Sequence, residues 1–145
     1  MSDPKFFYKL LYDFPHLFPG GEESQIDVPK GWEVLVYDLC NKISERVLHN
    51  KEVPDVNVLH IKEKFAFLRY YISGGDDIIH NMIMEAEEVS SLICEVTGQE
   101  GFLCQKGGWL KTLCEEQAQS LGYTKVNTHK EDNTPWITVV TTLRT

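Results

Sequence analysis

The sequence predicts an α+β fold, with helices packed on a small, mainly antiparallel sheet and a compact cysteine-bearing knuckle near the C-terminus. Three observations lead there. Apolar residues recur at intervals of three and four over residues 32–49, the period changes to two from Pro54, and cysteines at 94, 104 and 114 punctuate a glycine-containing stretch. The chain has 145 residues, 42 % apolar and 11 % aromatic, enough to bury one core, and no break in composition divides it. A single domain over 1–145 is therefore expected, with the knuckle at 94–117 as a subregion.

The elements follow in order. PKFFYKLLYD, residues 4–13, sets Phe6, Phe7, Leu10 and Leu11 at helical spacing behind a proline suited to a first turn. FPHLFPGGEES then has two prolines and two glycines and reads as a loop, with His16 exposed or partly packed in it. Trp32, Leu35, Val36, Leu39, Cys40, Ile43, Val47 and Leu48 form one helical stripe, so Trp32 and Cys40 are expected in the core. In DVNVLHIKEKF, Val56, Val58, His60, Lys62 and Lys64 fall on one side of a strand, and Leu59, Ile61, Glu63 and Phe65 on the other. AFLRYYIS, residues 66–73, is a second strand, antiparallel because too few residues separate the two for a crossover.

SGGDD ends the sheet and opens a helix capped by Ser73 or Asp76, with Ile78, Ile79, Met82, Ile83, Ala86, Val89 and Ile93 as its buried face. LKTLCEEQAQSLG reads as a short helix ended by Gly122, and TPWITVVTTL, residues 134–143, as a last strand. An exposed edge at 136–143 would support a dimer by strand addition, although the oligomeric state is not fixed by the sequence.

Apolar runs are only a few residues long, so no membrane span is expected, and Met-Ser-Asp-Pro lacks a signal-peptide profile. A cytoplasmic protein with free thiols is the expectation. The formal charge of −8 argues against nucleic acid as a partner, since neutralising phosphates takes a surplus of Lys and Arg. Residues 75–100 hold seven acids, among them Asp76, Asp77, Glu85, Glu88 and Glu95, and no Lys or Arg. Glu85, Glu87 and Glu88 are expected on a solvated helix face. Asp76 and Asp77 as a Mg²⁺ pair lack any further ligands to complete a site.

The knuckle has the spacing of a zinc ribbon with half its ligands replaced. Cys94 is followed three residues later by Thr97, and Cys114 three later by Gln117, where zinc would take two more Cys or His. KEKFAFLRYYISGGDD followed by AEEVSSLICEVTGQEGFLCQKGGWLKTLCEEQA resembles a family of small phage and prophage proteins. Its members read KEKFGGLRFY, then an acidic helix, CEVCG, a GGW-R-TLC stretch and a closing His. The likeness runs over about residues 29–118 and includes Gly31-Trp32. It implies a phage source, a bacterial host cell and a zinc knuckle, and it carries no activity. This chain departs from the pattern at Thr97, Gln117 and Ala66-Phe67, the last standing where the family has Gly-Gly. A metal-free knuckle is expected, with Thr97 and Gln117 hydrogen-bonding across the gap and packing by Trp109 and Leu113 replacing the metal. The alternative is zinc held by Cys94, Cys104 and Cys114 with water or Gln117.

No nucleophile motif, metal-protease motif or phosphate-binding loop is present, so neither catalysis nor a cofactor is expected. Glu63 beside Lys62, Lys64 and Arg69 resembles a nuclease set, against which stands a charged ladder on a solvated hairpin face. Lys62, Lys64 and Arg69 near Tyr71 offer cations beside an aromatic ring, the chemistry of nucleotide binding. Trp109, after Gly107-Gly108, could be an interface residue, but a core residue behind a turn is the expectation. The expected function is non-catalytic: a phage accessory protein that inhibits a host antiviral defence protein, its acidic face (Asp76, Asp77, Glu85, Glu88) competing for a basic surface. Binding a signalling nucleotide through Lys62, Lys64, Arg69 and Tyr71 is the second expectation, and a nucleic-acid-binding module the third.

Overall fold

The structure, a computed structural model, describes residues 4–126, so the strand expected at 134–143 and its dimer edge lie outside the described residues. The fold is α+β. Helix α1 (Pro4–Asp13) is followed by two 3-10 turns, a short strand β1 (Gln25–Asp27), helix α2 (Glu33–Leu48), the hairpin β2 (Asn57–Lys64) and β3 (Phe67–Ser73), and helix α3 (Asp77–Ser90). A second sheet follows, made of β4 (Phe102–Lys106), β5 (Trp109–Leu113) and β6 (Thr124–Lys125), with helix α4 (Glu115–Leu121) between β5 and β6. The first sheet runs β1-β2-β3 with β1 parallel to β2, and the second runs β5-β4-β6.

The stripe on α2 buries Trp32, Val36, Leu39, Cys40 and Ile43 against the inner face of the first sheet and α3. The segment expected as a plain loop contributes Phe14, Leu17 and Phe18 to this core, because its prolines bend the chain into 3-10 turns whose apolar residues point inward. Beyond it, β1 was not legible as a strand: three residues are too few for a period. His16 is partly packed, its Nε2 2.7 Å from Ser44 Oγ.

The hairpin corrects the expected alternation. The pairing slips between Val58 and His60, leaving Leu59 as the extra residue of a bulge, so Val58 and Ile61 are both buried. From His60 onward the expected sides hold. Residues Phe65 and Ala66 form a two-residue turn with φ of 53° and 70°, the positive values of a primed hairpin turn, normally taken by Asn and Gly. Glu63 Oε2 accepts from the Ala66 N–H at 2.8 Å and so braces this turn.

Helix α3 is capped as expected, Asp76 accepting from the Ile79 N–H at 3.0 Å. Its buried face is narrower than expected: Ile78 is half-exposed and Val89 also reaches solvent. Glu87 is not part of a solvated face; its carboxylate accepts from the Tyr70 N–H at 3.0 Å while Ser90 Oγ accepts from the Leu68 N–H at 2.9 Å. Two side chains of α3 thus occupy donors on the outer edge of β3.

The expected helix over LKTLCEEQAQSLG begins later. Leu110 to Leu113 pair with β4, because Gly107 and Gly108 turn the chain into a hairpin, and the helix starts only after Cys114. Trp109 is 74 % exposed and is not in the core; the small C-terminal core is Cys94, Cys104, Leu113, Cys114 and Ala118 with Phe102 and Tyr123. The turn supplies the first prediction. Phe65 is exposed, so Phe65→Asn removes little packing while fitting the left-handed backbone, and should raise unfolding stability by about 0.5–1 kcal/mol in urea titration.

Candidate functional site

Two segments far apart in sequence meet where the knuckle joins the main body. Gly31 N–H donates to the Glu95 carbonyl at 2.8 Å, and the Trp32 indole N–H to the Ile93 carbonyl at 2.9 Å. A Cβ at position 31 would lie 2.1 Å from the Cys94 carbonyl oxygen, so only glycine permits this approach. Glu95 is tied from the other side by β5: its N–H donates to the Thr112 carbonyl and its Oε2 accepts from the Thr112 N–H, both at 2.8 Å. Thr112 in turn donates its hydroxyl to the Ala66 carbonyl at 3.0 Å.

Glu95, one of the seven acids of residues 75–100, is 3 % exposed. Its Oε1 takes no hydrogen bond, with the Lys111 ammonium 3.5 Å away. Burial foremost, with the nearby Glu63 charge adding to it, raises the Glu95 pKa, against the lowering influence of the Thr112 N–H and Lys111. Glu63 and Glu95 both line a cavity of about 670 Å³ between α1, β1, β2 and β5. Nothing in the sequence marks Glu95 as buried; only its place one residue after Cys94, in the stretch on which Gly31 closes, hints at it.

In the knuckle, Gly98 N–H donates to the Cys94 carbonyl at 2.9 Å, and the Thr97 N–H lies 3.5 Å from Cys94 Sγ. The Thr97 hydroxyl lies 3.9 Å from Cys114 Sγ. Burial alone would raise the Cys94 pKa; donation from the Thr97 hydroxyl and from the N–H groups of Cys114, Thr97 and Val96 outweighs it, and the net shift is downward. Cys104 is shifted upward by burial. Among the described residues Gln117 makes no bond across the gap, and no three His, Cys, Asp or Glu side chains come together as metal ligands. The donors therefore do not fit the four-coordinate site that a zinc knuckle needs. Packing by Trp109 is absent too, and Leu113 fills the small core instead.

The expected cationic and aromatic residues do share one face. Opposite pairs Lys64–Phe67, Lys62–Arg69 and His60–Tyr71 set Lys62, Lys64, Arg69 and Tyr71 on the outer side of the hairpin. The Lys62 ammonium lies 5.8 Å from the Tyr71 ring centre and the Arg69 guanidinium 5.8 Å from that of Phe67. Glu63 is on the opposite side, engaged in the turn, so the nuclease-like set is not assembled. The four residues form an open face; of them the 670 Å³ cavity takes in only Lys62.

The acidic residues separate into two kinds. Asp76 is bound internally, with Arg46 Nη2 at 2.7 Å and Nε at 3.0 Å from its Oδ2. Asp77, Glu85 and Glu88 are exposed. Glu85 and Glu88, with Asp38 of α2, rim a groove of about 420 Å³ whose floor is Leu39, Met82 and Ala86. Cys40 is inert: burial pushes its thiol up to about 12, and it sits 3.0 Å from the Tyr70 hydroxyl. Among the described residues no helix is long and apolar enough to cross a membrane. In comparisons with known proteins, no family model, no curated protein and no solved structure matches this chain.

Arg46, foremost, and the Ile79 N–H hold the Asp76 carboxyl below its ordinary range. Its contribution to stability is complete above the unfolded pKa and is lost as pH falls through the depressed folded value. Asp76→Asn should therefore lower the melting temperature at about pH 7 and make little difference at about pH 2, read by thermal unfolding across that range. Glu95 acts in the opposite sense: its raised pKa gives a contribution present at low pH and lost as pH rises through the folded value.

Proposed function

We propose that this is a non-catalytic binding protein, a phage accessory factor that works in the bacterial cytoplasm by occupying a basic surface of a host antiviral defence protein. The observation that carries the binding reading is the groove between α2 and α3, apolar along its floor and rimmed by Asp38, Glu85 and Glu88 with one cation, Lys42. A segment that places apolar residues on Leu39, Met82 and Ala86 and Lys or Arg against the rim satisfies both parts. Asp77 is exposed on the first turn of the same helix, outside the lining of the groove. Internal engagement of the reactive groups favours binding over reaction: Cys40 is paired with Tyr70, Glu63 braces a turn and Asp76 is held by Arg46.

A second reading rests on the outer face of the hairpin. Lys62, Lys64 and Arg69 make no ion pair among the described residues and stand beside Tyr71 and Phe67, as a nucleotide's phosphates and base would require. The face is open and not enclosed, which fits an extended partner better than a sequestered small molecule. Mass spectrometry of small molecules released from the purified protein separates the two, since the groove reading predicts no nucleotide.

Affinity purification from infected cells tests the main reading. The wild-type chain should recover a host protein, and Glu85→Lys with Glu88→Lys should reduce that recovery by about tenfold or more, with the wild-type complex weakening as salt rises. Equal recovery by the double variant, or recovery of nucleic acid alone, contradicts the reading.

A further inference from the structure

We infer that the chain associates with itself head to tail. The tip and outer face of the β2–β3 hairpin of one copy dock in the α2–α3 groove of the next, Phe65 entering the groove while Lys62, Lys64 and Arg69 meet Asp38, Glu85 and Glu88. The inference rests on the groove reading in one respect, that this groove seats an apolar residue flanked by cations. It adds that the chain itself carries such a segment, so that a second copy and any other partner compete for one groove.

It begins at a turn that is both strained and uncovered. Phe65 has a φ of 53°, in the left-handed region that bulky residues avoid, and it is 65 % exposed. An aromatic ring there contributes little to packing and adds backbone strain, and strain of this kind collects at recognition sites. The Lys64 ammonium lies 5.8 Å from the Phe65 ring centre, and Lys62 and Arg69 stand opposite one another further along the same sheet face. These three cations make no ion pair among the described residues. Asp27, beside Lys62 in the pairing with β1, brings an acid to this face, and even counted in full it leaves the face positive.

The groove supplies the complement. Asp38, Glu85 and Glu88 are exposed along it against the single cation Lys42, and none of the three makes an ion pair among the described residues. Leu35, Met82, Val89 and Leu92 reach solvent between them and offer an apolar lining for a ring. The two surfaces are thus opposite in charge and alike in carrying an apolar centre. Two hairpin faces, or two grooves, would set like charges together, which disfavours a contact of either surface with itself. Within one copy the two do not meet: α2 and α3 pack against the inner sheet face with Ile61, Leu68 and Tyr70, the cations stand on the outer face, and Glu63 and Thr112 fix the turn. The contact is therefore heterologous, one copy's hairpin with the next copy's groove, and it leaves a free hairpin at one end and a free groove at the other.

Sedimentation velocity of the full purified chain tests this, over about a hundredfold range of concentration and at ionic strengths of about 0.02 M and about 0.5 M. The weight-average mass of wild type should rise with concentration at low salt and fall back to that of the monomer at high salt. Glu85→Gln with Glu88→Gln, and separately Lys62→Gln with Arg69→Gln, should each weaken association about tenfold, and all four side chains reach solvent, so the fold is kept. Mixed, the two variants should form a one-to-one pair about as tight as the wild-type contact, because one brings an intact hairpin and the other an intact groove. Phe65→Asn leaves every charge in place and fits the turn; it should also weaken association about tenfold, which charge attraction alone would not do. A wild-type chain that stays monomeric at low salt, a mixture no more associated than its components, or Phe65→Asn associating like wild type overturns the inference. None of these results touches the host-partner reading, whose test is the recovery of a host protein from infected cells.

Discussion

The structure depends on one hydrogen-bonded junction in which Gly31, Glu95, Thr112 and Ala66 meet. These residues are supplied by the entry to α2, the end of the α3 connection, strand β5 and the tip of the β2–β3 hairpin. Gly31 reaches the Glu95 carbonyl only because it lacks a Cβ, and Thr112 satisfies a donor and an acceptor of Glu95 while its hydroxyl covers the Ala66 carbonyl. Glu95, Thr112 and Ala66 are buried, so opening a link among them leaves an unsatisfied partner at a cost of about 1–3 kcal/mol. The C-terminal unit, whose own buried core is only Cys94, Cys104, Leu113, Cys114 and Ala118, is thereby held to the larger core by directional bonds.

That constraint accounts for features that look unfavourable alone. Phe65 and Ala66 occupy backbone conformations that non-glycine residues avoid, and the turn persists because Glu63 binds its N–H while Thr112 binds its carbonyl. A buried glutamate persists because it closes the junction, with the cavity beside it as a consequence of where Gly31 and β1 must pass. The same arrangement leaves three different surfaces: an acidic apolar groove between helices, a cationic aromatic sheet face, and an exposed Trp109 at the tip of β4–β5. A chain of net charge −8 thus sets three of its cations, Lys62, Lys64 and Arg69, together on the outer face of one hairpin, apart from the acidic groove.

Much of the fold was legible because it rests on period. The stripe from Trp32 to Ile43, the change to period two after Pro54 and the Asp76 cap all express local geometry that sequence spacing records. The bulge at Leu59 was hidden, because one extra residue alters which side chains point inward without altering composition. The 14–24 segment misled for a related reason: prolines and glycines announce a turn but not that Phe14, Leu17 and Phe18 are buried by it. Lys62, Lys64, Arg69 and Tyr71 could be grouped by alternation, and the register sets them on one sheet face. Glu95 and Glu87 could not be told from neighbouring solvent-facing acids, and the pairing of the capping Asp76 with Arg46 was equally hidden, since these contacts are set by partners many residues away.

Amide hydrogen exchange, resolved by residue, tests the junction most directly. If the Gly31–Glu95–Thr112 contacts hold the two units together, the N–H groups of Gly31, Glu95 and Thr112 should exchange only through the opening that also exposes Leu39 and Tyr70 in the main core, with equal free energies. Exchange at Gly31, Glu95 and Thr112 about a hundredfold faster than at Leu39 and Tyr70 would show the knuckle detaching on its own, and would contradict the account.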